Sequence, residues 1–282
     1  MVTHVIGYPM VNLGNLYIDG LQLSWIDNTH ILVNAGAARD GTNQDDIVLL
    51  AQTSVNIGTN GLNGLDIGTV APSTAYAVYL IGSSLSANPE TNVATQVQGA
   101  AQTVVPTPMW SVDNNPQPGI ILSTNFFQPN LPFGYDMSRR IGSIATDGAS
   151  HILPFTIVGN SASRIVYLQA GIQVLNAGAS AVFAPVDLSG AVPVGVAGPD
   201  GLANIIFDAI LTPTAAGNTA ALRPTGSASV NGVTIISGPV AGVATELTVT
   251  SPAAVSAGHL SIDYKVNTGT LTLNVIGYYE NL

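Results

Sequence analysis

Cysteine is absent from this chain, which excludes disulfides, thiolate metal ligands and a thiol nucleophile. Stability must then come from packing and subunit contacts. Positive charge is nearly absent too. Lys265 is the only lysine, Arg39, Arg139, Arg140, Arg164 and Arg223 are the only arginines, and the formal net charge is −10. Binding to phosphate backbones rests on clustered cations that displace counterions, so no nucleic-acid partner is expected. Long apolar runs are missing as well. Mean hydropathy is +0.39, yet stretches such as Ala75 to Ile81 and Ile165 to Val174 are short and bounded or broken by Ser, Thr, Gln or Gly. None approaches the ~18 residues of a spanning helix, and no membrane insertion is expected. The opening MVTHVIGYPMVNLG has neither a basic start nor a continuous apolar core, so it does not read as a secretory signal.

Charged residues make up 8% of the 282 positions, against roughly 25% in ordinary soluble domains. Too few charges remain to clothe a monomer. A β protein of this kind is expected to give its apolar outer surface to neighbours, because large exposed apolar patches usually mark contact sites. The expected state is therefore a homo-oligomer.

Helical periodicity is scarce, whereas alternation and turn dipeptides recur, the pattern of an all-β chain of many short strands. Near the C-terminus Leu260, Ile262, Tyr264 and Val266 alternate with Ser261, Asp263 and Lys265, and Leu271, Leu273 and Val275 alternate with Thr270, Thr272 and Asn274. With Asn267-Thr268-Gly269 between them, the two runs predict a hairpin with one buried face. Leu247 and Val249 are expected to point inward, and Ala203 to Leu211 reads as a strand covered on both faces. These segments predict an antiparallel β-sandwich over 156–282, with a jelly roll as one arrangement. Residues 1–155 predict a separate β-rich attachment or assembly domain. It has strands on either side of Asp27-Asn28, a glycine-rich loop from Asn60 to Gly68 and a strand from Ala75 to Ile81. Four prolines between 99 and 119 suit an extended arm better than a central strand.

Three segments carry a likeness to known proteins. VNAGAARDGTNQDDIVL (33–49) has an Arg-Asp-x-Thr-Asn cluster between apolar strands. NGLNGLDIGTVAPSTAYAVYLI (60–81) has a Gly-Leu-Asp-x-Gly turn before an aromatic strand. LPFGYDMSRRIGSIATDGASHILPF (131–155) has Pro-x-Gly-Tyr, Arg-Arg-Ile-Gly and Thr-Asp-Gly elements. In this order they resemble a family of tailed-bacteriophage and prophage virion proteins that serve as tail fibres, head fibres or other surface appendages. The resemblance implies a structural, non-enzymatic component located in the virion, with other virion proteins as partners. A receptor-binding adhesin module that recognises a host-surface glycan and a capsid decoration protein are the alternative readings.

Asp40 to Asp46 is oxygen-rich but lacks the central Gly and terminal Glu of the calcium-loop pattern. A turn held by Asp40 and Asn43, with Arg39 pairing to Asp40, Asp45 or Asp46, is the reading adopted. His4, His30, His151 and His259 show no zinc spacing. Glu90, Glu246 and Glu280 form no recognisable acid pair, and nucleophile-elbow, phosphate-loop and dinucleotide patterns are missing. No catalytic, metal or cofactor residues are assigned, and no cofactor is expected. Arg139 and Arg140 are consecutive on a strand and should face opposite ways, one paired internally and the other outward. Trp110, Phe126, Phe127, Phe133 and Tyr135 could stack on sugars but are read first as core or interface residues.

Overall fold

A computed structural model describes residues 17–84, 117–159 and 163–282. The chain is all-β, as expected, and among the described residues the only helical element is a 3-10 turn at Val194–Val196. The first half builds three small sheets. In one, β1 (Ile18–Gly20) pairs with β4 (Gly36–Arg39), which pairs with β5 (Asp46–Leu49); in the second, β3 (His30–Val33) lies between β2 (Leu23–Trp25) and β6 (Thr53–Asn56). The third runs β10 (Met137–Ala145), β8 (Ala75–Gly82), β9 (Gly119–Ser123) and β7 (Gly64–Leu65), with β7 and β9 parallel. The Asp27-Asn28 turn and the strand from Ala75 fall where the sequence places them. The expected extended arm lies mostly outside the described residues, and the 155/156 division coincides with the start of the next strand.

The second half is one curled antiparallel sheet that closes on itself as a sandwich. Its order is β11 (Phe155–Gly159), β12 (Ser163–Gly178), β19 (Thr270–Asn281), β14 (Leu202–Thr212), β17 (Thr245–Ser256), β18 (His259–Val266), β15 (Asn218–Pro224) and β16 (Thr234–Gly238), while β13 (Ala184–Asp187) adds to β18. Alternation fixes which residues turn inward. Phe207, Ala209 and Leu211 from β14 and Leu271, Leu273 and Val275 from β19 meet Leu222, Ile236, Ile262 and Val266 in one core. The opposite side of β14 is only partly covered, since Leu202 and Asn204 are exposed and Asp208 and Ile210 half-buried.

The predicted hairpin at the C-terminus does not form. β18 pairs with β13, β15 and β17, whereas β19 pairs with β12 and β14. Both runs do have a buried apolar face, but the faces oppose each other across the core. Alternation reports that a strand has one wet side; it does not say whether the next strand lies beside it or over it. The Asn267–Gly269 loop makes the crossing. Gly269 takes φ +98°, and a Cβ there would lie 2.2 Å from the Thr212 carbonyl oxygen, so only glycine fits. The true hairpin is β17–β18, closed by Ala257-Gly258.

The two halves share one apolar core, in which Leu23, Ile141, Val166 and Tyr278 all take part.

Candidate functional site

A buried polar cluster lies where the halves meet. β10 carries an extra residue, Ile141, between Arg140 and Gly142 in its pairing with β8. Such a bulge leaves a carbonyl without a ladder partner. Arg164 of β12, with no solvent exposure, donates Nη1 to the Ile141 carbonyl at 2.7 Å. Its fork also reaches the Gly20 carbonyl at 3.3 Å and the Leu21 carbonyl at 3.5 Å. Those two carbonyls belong to a turn in which Gly20 and Leu21 both have positive φ. One guanidinium thus closes two interruptions in the backbone ladders of the first half, and a planar five-donor group suits that task where an ammonium would not.

Glu280 is the cross-strand neighbour of Arg164 on β19 and is equally buried. Burial raises the Glu280 pKa above the usual carboxylate range, opposed by Arg140, Ser143 and Arg164. Neither carboxylate oxygen has a partner at hydrogen-bonding geometry, although Ser143 lies alongside. Burial likewise lowers the Arg164 pKa, with Glu280 opposing. Nearby, the Tyr278 and Ser143 hydroxyls are 3.3 Å apart, and burial pushes the tyrosine pKa far up. A carboxyl sealed from solvent offers no approach to a substrate, so this cluster is a clamp between the halves. Sequence reading named Arg164 only in counting charges and Glu280 only as an acid without a recognisable pair; their cross-strand register was the missing signal.

Arg139 and Arg140 do face opposite ways. Arg140 pairs in register with Tyr79 and donates to the Gly195 carbonyl, while Arg139 sits opposite Leu80 in the field of Asp40. The expectation that one points outward is corrected: both are half-buried and engaged within the chain.

The Asp40 loop is a turn. Its carboxylate accepts from the backbone N–H groups of Thr42, Gln44 and Asp45 at 3.0, 2.7 and 3.0 Å and from the Thr42 hydroxyl. Burial works to raise the Asp40 pKa, but these bonds outweigh it and hold the carboxyl below its usual range. Arg39 pairs with Asp46 at 3.1 Å. His30, His151 and His259 each stand beside one aspartate, Asp27, Asp147 and Asp187 respectively. Among the described residues no group of three His, Asp or Glu could hold a metal ion. Glu246 is exposed and far from Glu280 in the fold's register; His4, Glu90 and Trp110 lie outside the described residues.

Among the described residues the most exposed large apolar side chains sit on the loop from Thr124 to Asp136. Phe127 is 90% exposed and Phe133 fully so, whereas Phe126 and Tyr135 pack against Tyr79, Ile81 and Ile121. The loop is pinned from below. Asp66 accepts from the Ser123 hydroxyl at 2.7 Å and from the backbone and side chain of Asn130 at 3.0 and 3.1 Å. Asn125 accepts from the Phe127 and Gln128 N–H groups, and its own carbonyl takes the Tyr79 hydroxyl at 3.1 Å. Burial raises that tyrosine to about 12, so it remains a donor at every ordinary pH. Two phenyl rings are therefore held out from a braced loop and flanked by amides.

A scan against protein-family models and a search of curated proteins return no match. A search of solved structures finds a likeness to a carbohydrate-binding module from a Cellvibrio mixtus lichenase, solved in complex with cellotriose. It is 18% identical and covers 46% of this chain and 87% of the module, at a TM-score of 0.20. At that degree of superposition the likeness bears on neither fold nor function.

Proposed function

We propose that the chain is a structural subunit of a tailed-phage virion, forming part of a fibre, spike or tail appendage. The observation that carries this reading is that the three family-like segments pack as one unit. The Asp40 turn of the first donates from the Gly41 N–H to the Ser138 carbonyl of the third at 2.9 Å. β8 of the second pairs with β10 of the third along its whole length. The low charge and the many exposed aliphatic side chains support a chain that functions within an assembly. Labelling with an antibody raised against the chain and visualised by electron microscopy should mark the tail or a vertex appendage of particles. Absence of the protein from purified particles overturns the proposal, and uniform labelling of the head lattice favours a decoration protein.

A second reading, a glycan-binding adhesin, is favoured by Phe127 and Phe133. Aromatic faces stack on sugar rings, and the adjacent Asn125, Gln128 and Asn130 can bond hydroxyls. Purified protein should then bind host cells, and F127A/F133A should abolish that binding while leaving the circular dichroism spectrum unchanged.

A further inference from the structure

The sequence contains three Asn-Gly pairs, Asn60-Gly61, Asn63-Gly64 and Asn231-Gly232. Such a pair can modify itself. The backbone nitrogen of glycine, unshielded by a Cβ, is able to reach the asparagine Cγ and close a cyclic imide. Closure requires that the nitrogen be free to give up its proton and that the side chain be free to swing over it. The fold treats the three pairs differently. Gly61 donates its N–H to the Leu65 carbonyl at 2.7 Å, and Asn60 is bridged to Leu65. Gly64 donates to the Gly61 carbonyl at 3.0 Å, while Asn63 is held at both ends, its N–H by the Ile120 carbonyl at 2.7 Å and its Oδ1 by the Ile120 N–H at 3.1 Å. At the third pair neither group is engaged. Among the described residues the Gly232 N–H and the Asn231 side chain have no hydrogen-bond partner, and Asn231 is exposed. The glycine itself is fixed in place. Gly232 takes φ +82°, and a Cβ there would lie 2.8 Å from the Ala221 Cβ and 3.0 Å from the Leu222 carbonyl oxygen, so glycine is required. Its carbonyl accepts from the Ser229 hydroxyl at 2.9 Å, and the next N–H, of Val233, donates to the Leu222 carbonyl at 2.7 Å. An untethered amide thus stands beside a nitrogen whose position is set.

We infer that Asn231 is a site of self-modification, converting in the folded chain to aspartate and isoaspartate. Hydroxide takes the Gly232 N–H proton, the nitrogen forms a bond to the Asn231 Cγ, and the Cγ–Nδ2 bond breaks to release ammonia, which takes its proton from water. Water then opens the imide. Addition at the Cγ carbonyl gives aspartate, and addition at the main-chain carbonyl gives isoaspartate, whose backbone runs through Cγ. Either product places a negative charge in the stretch from Gly226 to Gly258, where Glu246 is the only other ionisable side chain. The chain thereby gains charge with age at one defined turn.

The purified, folded chain is kept in warm, mildly alkaline buffer and sampled over days by proteolysis and mass spectrometry. Asn231 is expected to gain the mass of an amide-to-acid exchange at least roughly tenfold faster than Asn60 or Asn63, a factor set by the backbone hydrogen bond that must first break at Gly61 and Gly64. Electron-transfer fragmentation should show isoaspartate among the products, which direct hydrolysis of the amide does not make. Asn231→Gln should abolish the gain at that peptide and, being an exposed substitution, should leave the circular dichroism spectrum unchanged. In urea, where the bonds at Gly61 and Gly64 are lost, the three rates should converge. No mass gain at Asn231, aspartate without isoaspartate, equal rates at all three pairs in the folded chain, or rates that stay apart in urea overturns the inference.

Discussion

Replacing Arg164 with methionine should uncouple the two halves of the chain more than any other single change at their junction. Methionine keeps most of the buried stem but removes every donor, leaving the bulge carbonyl of Ile141 and the turn carbonyls of Gly20 and Leu21 short of partners. The 2.7 Å bond is charge-assisted and contributes about 1.5–3 kcal/mol; the longer ones contribute less. Glu280 also loses one of the two cations that favour its ionised form. Removing one member of a buried charged pair costs about 3–5 kcal/mol, and that is the expected loss. For a chain of this size it corresponds to a fall in Tm of roughly 6–20 °C. Urea unfolding at pH 7, followed by circular dichroism and by tryptophan fluorescence with Trp25 as a reporter in the first half, should show the loss. The two signals should also cease to coincide. R164M/E280M, which removes both charges, should recover most of the stability, because the main penalty in the single variant is the carboxyl left behind. A loss below about 1 kcal/mol for R164M would place Arg164 among ordinary surface-like substitutions and refute the clamp.

Glu280→Gln should flatten the pH profile of the chain's stability. The folded-state pKa of Glu280 is raised by burial, so its contribution is fully present below the unfolded value and is lost as pH rises through the folded one. Thermal melts from pH 4 upward would test this, and a variant whose Tm varies with pH as steeply as that of the unsubstituted chain would contradict it. Asp40→Ala should cost about 2–3 kcal/mol, since three backbone donors and a hydroxyl lose their shared acceptor. Asp40 also titrates the opposite way. Its folded pKa is depressed, so its stabilisation is present above the unfolded value and lost as pH falls, and D40A should be less acid-sensitive than wild type. Gly269→Ala should destabilise by more than about 2 kcal/mol, while Gly258→Ala costs about 1 kcal/mol. Both have positive φ, but only the first meets a backbone oxygen. Equal losses in chemical denaturation would show that Thr212 moves aside.

The sequence by itself determined the class of the fold and the inward face of the last two strands. Alternation is a local property, set by which side of a pleat meets water, and it identified Leu271 to Val275 correctly as a half-buried run, whereas in Leu260 to Val266 the polar side is covered as well, with Ser261 and Asp263 buried. It also sufficed to place Arg139 and Arg140 on opposite faces and to read the Asp40 loop as a turn, because an aspartate bonding the next few N–H groups needs nothing beyond its own loop. Only the tertiary structure decided what those faces meet. The last two strands oppose each other across the core, because a short loop with Gly269 can turn between layers as readily as within a sheet. Arg164 and Glu280 stand over a hundred positions apart in sequence yet side by side in register, and Ile141 needed Arg164 only because a bulge formed there.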